Sequence, residues 1–233
     1  MQRGCFKDIE AVLFDFEGTL VDLQWDLQGA VEETLEMLKT LHFPIQRFQG
    51  MKYSTLMFEA LMMAQEIGQS TERVREKIGA IYDRFDEDAF MRWNLREGSK
   101  DFLSALKTKR IKTGLVSNVG RKALEKALPK LDLRPFLNVV VSRNDVQYMK
   151  PSGEGLSLAL SRLRVIGDKA LYIGDSLDDI QAAKAAGVKV IIIMGKKSSK
   201  TELLSAGPDQ LIYHFKELLT ALTKVTLFNL FPL

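Results

Sequence analysis

The sequence predicts an α/β fold, a doubly wound parallel sheet interrupted by a helical insertion, and three observations predict it. Short apolar runs recur along the chain, helix-period patterns lie between them, and residues 21–95 keep a helical period without a convincing strand. Parallel strands buried on both faces read as near-continuous apolar runs. Strands that alternate with helices give a doubly wound sheet.

The elements follow in chain order. Residues 11–16 read as the first strand. Within residues 21–95, Leu35, Leu38, Leu56, Met57, Leu61, Ile78 and Ile81 supply an apolar helical face, and Met57, Met62 and Met63 read as core. This stretch carries 8 Lys/Arg against 13 Asp/Glu, net −5, so the remainder carries +8. The acidic surplus reads as a solvated face. The expected organisation is a helical cap domain over 21–95, with 1–20 and 96–233 forming the α/β core. Residues 99–110 place Phe102, Ala105 and Leu106 on one helical face, with Ser99 as N-cap. Strands follow at 113–117 and 139–142. A helix over 155–163 groups Leu156, Ala159, Leu160 and Leu163. After a strand at 170–173, a helix over 177–186 stops at Gly187, a suitable C′ residue. Residues 188–194 and 210–213 complete the strands. The tail, 218–233, is apolar but interrupted by Lys224, Asn229 and Pro232, and reads as a docked terminal helix or a dimer contact.

Composition narrows the function classes. Hydrophobic residues make up 46% and charged residues 27%, as in ordinary globular proteins. A net charge of +3 is too small to point to nucleic acid or an anionic membrane. No run of 18 apolar residues occurs, so no membrane span is expected, and residues 1–10 lack the apolar run of a signal peptide. Cys5 is the one cysteine, which excludes an intrachain disulfide and fits a reducing, cytoplasmic compartment. No histidine stands near it in sequence, so it is not read as a nucleophile.

Ligands of open α/β sheets bind beyond the carboxyl ends of the strands. The residues there are Asp15, Phe16, Glu17, Gly18 and Thr19 after the first run, and Ser117 and Asn118 after the second. Lys150 and Pro151 precede the helix at 155–163, and Gly174, Asp175, Ser176, Leu177, Asp178 and Asp179 follow the run at 170–173. Asp15, Glu17, Asp175 and Asp179 would crowd four acids into one crevice, which is costly unless a cation sits among them. Carboxylates beside a phosphate suit Mg²⁺, a hard ion that takes oxygen ligands. Lys150 would offset repulsion between a carboxylate nucleophile and an anionic substrate. Ser117, and the amides around Asn118 and Gly18, offer hydrogen bonds to phosphate oxygens. A carboxylate such as Asp15 can attack phosphorus to give an aspartyl-phosphate. A second acid two residues on, Glu17, has the spacing to protonate the leaving oxygen and later activate water.

These motifs resemble the haloacid dehalogenase superfamily, in its phosphoglycolate-phosphatase-like branch with a helical cap after the first motif. The motifs are Asp15-Phe16-Glu17-Gly18-Thr19-Leu20, Val116-Ser117-Asn118, Lys150-Pro151 with Glu154, and Gly174-Asp175-Ser176-Leu177-Asp178-Asp179-Ile180, and together they span nearly the whole chain. The resemblance implies a Rossmann-like core and a Mg²⁺-dependent phosphatase acting on a small phosphorylated metabolite, as a monomer or homodimer. It implies Asp15 as nucleophile and metal ligand. Gly18, Thr19, Ser117 and Asn118 are implied around the phosphoryl group, and Lys150 positions nucleophile and phosphate. Asp175 is implied as a metal ligand, Asp179 as its direct or water-mediated support, and Glu17 as a ligand through its backbone carbonyl. Glu17 departs from the family, whose phosphatases carry Asp there as acid/base.

Other readings compete with these. Glu17 as a plain turn residue would leave a non-catalytic phosphate-binding protein. A haloacid dehalogenase is weakened by Asp175 and Asp179, because dehalogenases work without a metal. A phosphonatase would carry a small residue at position 17, and a phosphomutase leans on the missing aspartate. Asp22, Trp25, Arg47 and Lys52 are the cap candidates for substrate selection, Trp25 being equally well read as cap core. Asp178 reads as a helix N-terminal charge, His42 and His214 as structural or exposed, and Lys196 and Lys197 as a solvated loop.

Overall fold

The computed structural model describes residues 8–195 and 198–230. Cys5, Lys196, Lys197 and the last three residues of the tail lie outside the described residues. Six strands form one sheet: β1 (Ala11–Phe14), β2 (Lys112–Val116), β3 (Val139–Val141), β4 (Ala170–Gly174), β5 (Lys189–Ile193) and β6 (Gln210–Ile212). Their order is β3-β2-β1-β4-β5-β6, and every neighbouring pair is parallel. All six strands fall where the apolar runs predict them, with ends trimmed or shifted by one or two residues.

Both faces of the sheet are buried. Val12, Phe14, Leu171, Ile173, Ile191 and Ile193 enter one apolar cluster, whereas Ala11, Leu13, Tyr172, Val190 and Ile192 enter the other. That division is the two-residue period of a strand, with apolar groups required on each side. The helices are α1 (Leu27–Thr40), α2 (Tyr53–Glu66), α3 (Thr71–Phe90), α4 (Ser99–Thr108), α5 (Arg121–Lys130), α6 (Glu154–Leu163), α7 (Leu177–Ala185), α8 (Lys200–Ser205) and α9 (Phe215–Leu230). Leu156, Leu160 and Leu163 of α6 cover the second face. Phe102, Leu103 and Leu106 of α4 cover the first, where Phe14 and Phe102 meet edge to face at 6.0 Å. Helix α9 docks there through Phe215, Leu218 and Leu222, as a terminal helix was expected to.

Between β1 and α4 the chain forms α1, α2 and α3 with a short 3₁₀ turn. An antiparallel bridge between Val21 and Leu95 marks the two ends of this insertion. Val74, Ile78, Ile81, Tyr82 and Ala89 give α3 a buried stripe at helical spacing. The stripe joins the same apolar cluster as the first sheet face, so sheet and insertion share a core.

Two local expectations need correction. Ser99 is not the N-cap of α4: Gly98, at φ 77°, takes that place, and Ser99 is the buried first residue of the helix. A left-handed backbone there suits glycine, which carries no Cβ. Met57 and Met63 are buried, but Met62 is 39% exposed on the outer side of α2. Gly187 does close α7: its N–H donates to Lys184 O at 3.1 Å and that of Val188 to Ala183 O at 2.9 Å, a Schellman pair.

Candidate active site

The sheet order reverses at β1, which opens a crevice beyond the carboxyl ends of β1 and β4. Asp15 enters it directly from β1, its N–H still bonded to Ile173 O at 2.9 Å. The chain then turns tightly, with the N–H groups of Leu20 and Val21 both donating to Phe16 O. Gly18 sits at φ 88°, and a Cβ there would lie 2.3 Å from an Asp175 carboxylate oxygen. Glycine is therefore what allows the loop after β1 to pack against the loop after β4.

Asp175, Ser176 and Asp179 are fixed by the start of α7. Ser176 is its N-cap, and Asp179 at N3 closes a capping box. Asp179 Oδ2 accepts from Ser176 Oγ at 2.6 Å, Ser176 N at 3.0 Å and Asp175 N at 3.1 Å. Its other oxygen, Oδ1, accepts from Lys150 Nζ at 2.7 Å and Tyr172 OH at 2.8 Å. Lys150 Nζ also donates to Asp15 Oδ1 at 2.6 Å and to Tyr172 OH at 2.9 Å. One oxygen from each of Asp15, Asp175 and Asp179 lies within 4.8 Å of the others, and all three residues are buried.

One ammonium thus serves two carboxylates. Burial alone would depress Lys150, but the attraction of Asp15 and Asp179 outweighs it and holds the ammonium charged, above its usual range. Burial raises Asp179 too, yet Lys150 and the hydroxyl donors keep it below the ordinary carboxylate value. Asp15 has fewer donors, and burial pushes it up to about 6 against the pull of Lys150.

Glu17 borders the same cleft as Asp15, but its carboxylate does not join the acidic cluster. Instead Oε1 accepts from Gln24 N and Trp25 N, each at 2.7 Å, and from Trp93 Nε1 at 2.8 Å. Burial pushes Glu17 up to about 7, against these three donors. The crowding of four acids expected from the sequence is therefore a crowding of three, because the start and end of the insertion hold Glu17.

Ser117 and Asn118 border the cleft as well. The Ser117 hydroxyl oxygen accepts from Val119 N at 3.2 Å, which leaves its O–H to donate. The Asn118 side chain is turned to the Lys150 backbone: Oδ1 accepts from Lys150 N at 2.9 Å and Nδ2 donates to Lys150 O at 3.0 Å. It orients Lys150. Thr19 is fully buried and does not border the cleft.

Of the four insertion candidates, Trp25 alone borders the cleft. Asp22 accepts from Asn94 N and Gln24 Nε2 within the linker, Arg47 is exposed near Glu66, and Lys52 is exposed before α2. Asp178 does more than charge a helix start: its Oδ2 accepts from Ser54 Oγ of α2 at 2.6 Å, across the cleft. His42 and His214 are exposed.

Sequence reasoning missed Tyr172, whose signal was one hydroxyl-bearing residue in the apolar run at 170–173. It also missed Arg143. That buried guanidinium donates to Asp83 and Asp86 of α3 and to Asn118 O, at 2.5, 2.9 and 2.7 Å. Arg96 ties the loop after β1 to the loop after β5 by donating to Gly18 O and Met194 O.

Residues 12–193 match the family model described as haloacid dehalogenase-like hydrolase. A phosphoglycolate phosphatase of Salmonella typhimurium is 32% identical, the alignment covering 93% of each chain. The phosphoglycolate phosphatase of Escherichia coli K12 is 30% identical over 93% of this chain and 94% of its own. The fold is shared with a solved hydrolase from Pseudomonas syringae, at TM-score 0.67 and 24% identity over 93% of this chain and 99% of that one. Among the described residues, no helix is long and apolar enough to cross a membrane.

Proposed function

The chain belongs to the haloacid dehalogenase-like hydrolases, and from that membership we propose a phosphatase that hydrolyses a small phosphorylated metabolite through an aspartyl-phosphate on Asp15, with Mg²⁺ as cofactor. The observation that carries this reading is the convergence of Asp15, Asp175 and Asp179 beside Lys150. Three carboxylates against one ammonium leave an excess of two negative charges among hard oxygen donors, which suits a divalent cation. Asp15 and Asp175, with the Glu17 backbone carbonyl, would hold the ion, and Asp179, whose two oxygens are occupied by Lys150, Tyr172, Ser176 and the Asp175 N–H, would support it by fixing Lys150 and the loop of Asp175. When bound, it would supply neutralising charge to the phosphoryl group.

The residues of this chain divide the remaining work. A carboxylate oxygen of Asp15 attacks phosphorus, the ester P–O bond breaks, and the leaving oxygen takes a proton from Glu17. Water then attacks the aspartyl-phosphate, Glu17 takes back a proton, and inorganic phosphate leaves with Asp15 restored. Lys150 steadies Asp15. The Ser117 hydroxyl and main-chain amides near Asn118 and Gly18 donate to phosphoryl oxygens. Three N–H donors occupy Glu17 Oε1, so the mobile proton belongs on Oε2. An acid near pH 7 serves both half-reactions at neutral pH, and this favours turnover over the non-catalytic alternative. Helices of residues 21–95 serve as the cap over a core of 1–20 and 96–233. The single cysteine fits action in the cytoplasm, as a monomer or homodimer.

Hydrolysis of p-nitrophenyl phosphate with and without Mg²⁺ tests this reading. Activity should vanish with chelator and return with Mg²⁺. An acid quench during turnover should leave label from a radioactive ester on the peptide containing Asp15. Metal-independent turnover, or label elsewhere, overturns it.

Glu17→Asp separates a displaced acid from a site built around glutamate. An aspartate is one methylene shorter and retreats from Gln24, Trp25 and Trp93. The expected result is a fall in kcat of about 10²-fold and a loss of about 2 kcal/mol in urea unfolding. A rise in kcat would show that the three donors do not set the position of the acid.

A further inference from the structure

Beside Asp15 and Lys150, the cleft is lined by Leu23, Trp25, Leu27 and Tyr53, with Asp86 and Asp178 as further acids. Lys150 is the one cation that borders the cleft among the described residues, and Asp15, Asp179 and Tyr172 already engage its ammonium. Among the described residues the donor to Asp178 is a neutral hydroxyl, Ser54, on Oδ2, and its Oδ1 can accept again. Trp25 is 7% exposed, and its indole Nε1 is buried without a hydrogen-bond partner. A buried donor without an acceptor is costly, so a ligand oxygen that reaches the Trp25 indole gains a hydrogen bond that the fold does not supply.

We propose that this cleft takes the phosphomonoester of an uncharged, hydroxyl-bearing alcohol, with the Trp25 indole N–H donating to one of its oxygens and Asp178 accepting from a hydroxyl. The proposal rests on the phosphatase reading and narrows its substrate class. A carboxylate on the leaving group meets the charge of Asp178, and Lys150, the one cationic side chain on the described lining, is already engaged. A plain alkyl group leaves the indole N–H unpaired. The geometry therefore favours phosphomonoesters of small neutral polyols over phosphoglycolate, the substrate in the relatives' name. A site built to hydrogen-bond a hydroxyl discriminates strongly against analogues that lack it.

The test compares kcat/KM for glycerol 3-phosphate, phosphoglycolate and ethyl phosphate, with p-nitrophenyl phosphate as the ester that reports turnover itself. Glycerol 3-phosphate should exceed each of the other two alkyl esters by about tenfold or more. Trp25→Phe keeps an aromatic ring and should pull the glycerol 3-phosphate to ethyl phosphate ratio down by about tenfold. Asp178→Asn should raise phosphoglycolate relative to glycerol 3-phosphate. If Trp25→Phe does not fold, the wild-type ranking and the Asp178→Asn ratio decide. Turnover of the aryl ester with phosphoglycolate equal or preferred overturns this inference alone, as does a Trp25→Phe ratio that stays put. No turnover of any ester overturns the phosphatase reading and this inference together.

Discussion

Asp15→Asn removes turnover of p-nitrophenyl phosphate, by about 10⁴-fold or more, and does so without unfolding the protein. The loss is large because an amide does not attack phosphorus, and a nucleophile that acts as a unit with its partners leaves little behind when removed. The preserved fold is the less obvious half. Asp15 is a buried carboxylate raised to about 6 by burial. Its native value lies above its unfolded one near 3.8, so the native state holds the proton more tightly. The corresponding stability is fully present below the unfolded value and is lost as pH rises through about 6. In metal-free buffer the wild type should lose stability across that window, and Asp15→Asn should lose less. Mg²⁺ should raise the melting temperature of the wild type, because a ligand of the native state stabilises it. In the variant that increment should shrink. An Asp15→Asn protein with wild-type turnover, or with the full Mg²⁺ increment, removes Asp15 from the proposed chemistry.

Much of this arrangement is readable in the sequence, for physical reasons. A strand buried on two faces has little choice but an apolar run, so all six strands stand out. Acids at the ends of such runs are conspicuous because nothing in the core wants them, which singles out Asp15, Asp175 and Asp179. The Ser176-to-Asp179 spacing is that of a capping box, a local device that needs no tertiary knowledge. What is not readable depends on contacts between distant residues. Asp178 and Ser54 are 124 positions apart. The orientation of Asn118 toward the backbone of Lys150, and the bonds from Arg143 to α3 and the Asn118 carbonyl, arise only once three elements have packed. Tyr172 looks like one more core side chain until Lys150 and Asp179 are seen on its hydroxyl. Arg47 and Lys52, read from the sequence as cap candidates for substrate selection, are exposed and do not border the cleft.

Lys150→Met should destabilise the metal-free protein by about 3–5 kcal/mol, the usual consequence of removing one partner from a buried ion pair. Methionine fills much of the volume of the lysine stem, so the cost is electrostatic and not a cavity. The two carboxylates suffer unequally. Asp179 keeps Ser176, two main-chain N–H groups and Tyr172. Asp15 loses its ammonium partner and should retain its proton to higher pH, which also disarms it as a nucleophile. A fall in kcat of about 10²–10³-fold is expected from the lost charge alone. Lys150→Arg should not rescue either property. The ammonium donates to three oxygens at 2.6, 2.7 and 2.9 Å, and a planar guanidinium is the wrong shape for so compact a site. Urea unfolding with and without Mg²⁺ distinguishes this account from simple loss of packing. If charge excess is what the site resolves, a divalent ion should recover more stability in Lys150→Met than in the wild type, because it then neutralises both carboxylates unaided. Equal recovery in the two proteins would mean that lysine and metal do not share the same acids, and the assignment of the metal to this cluster would fall with it.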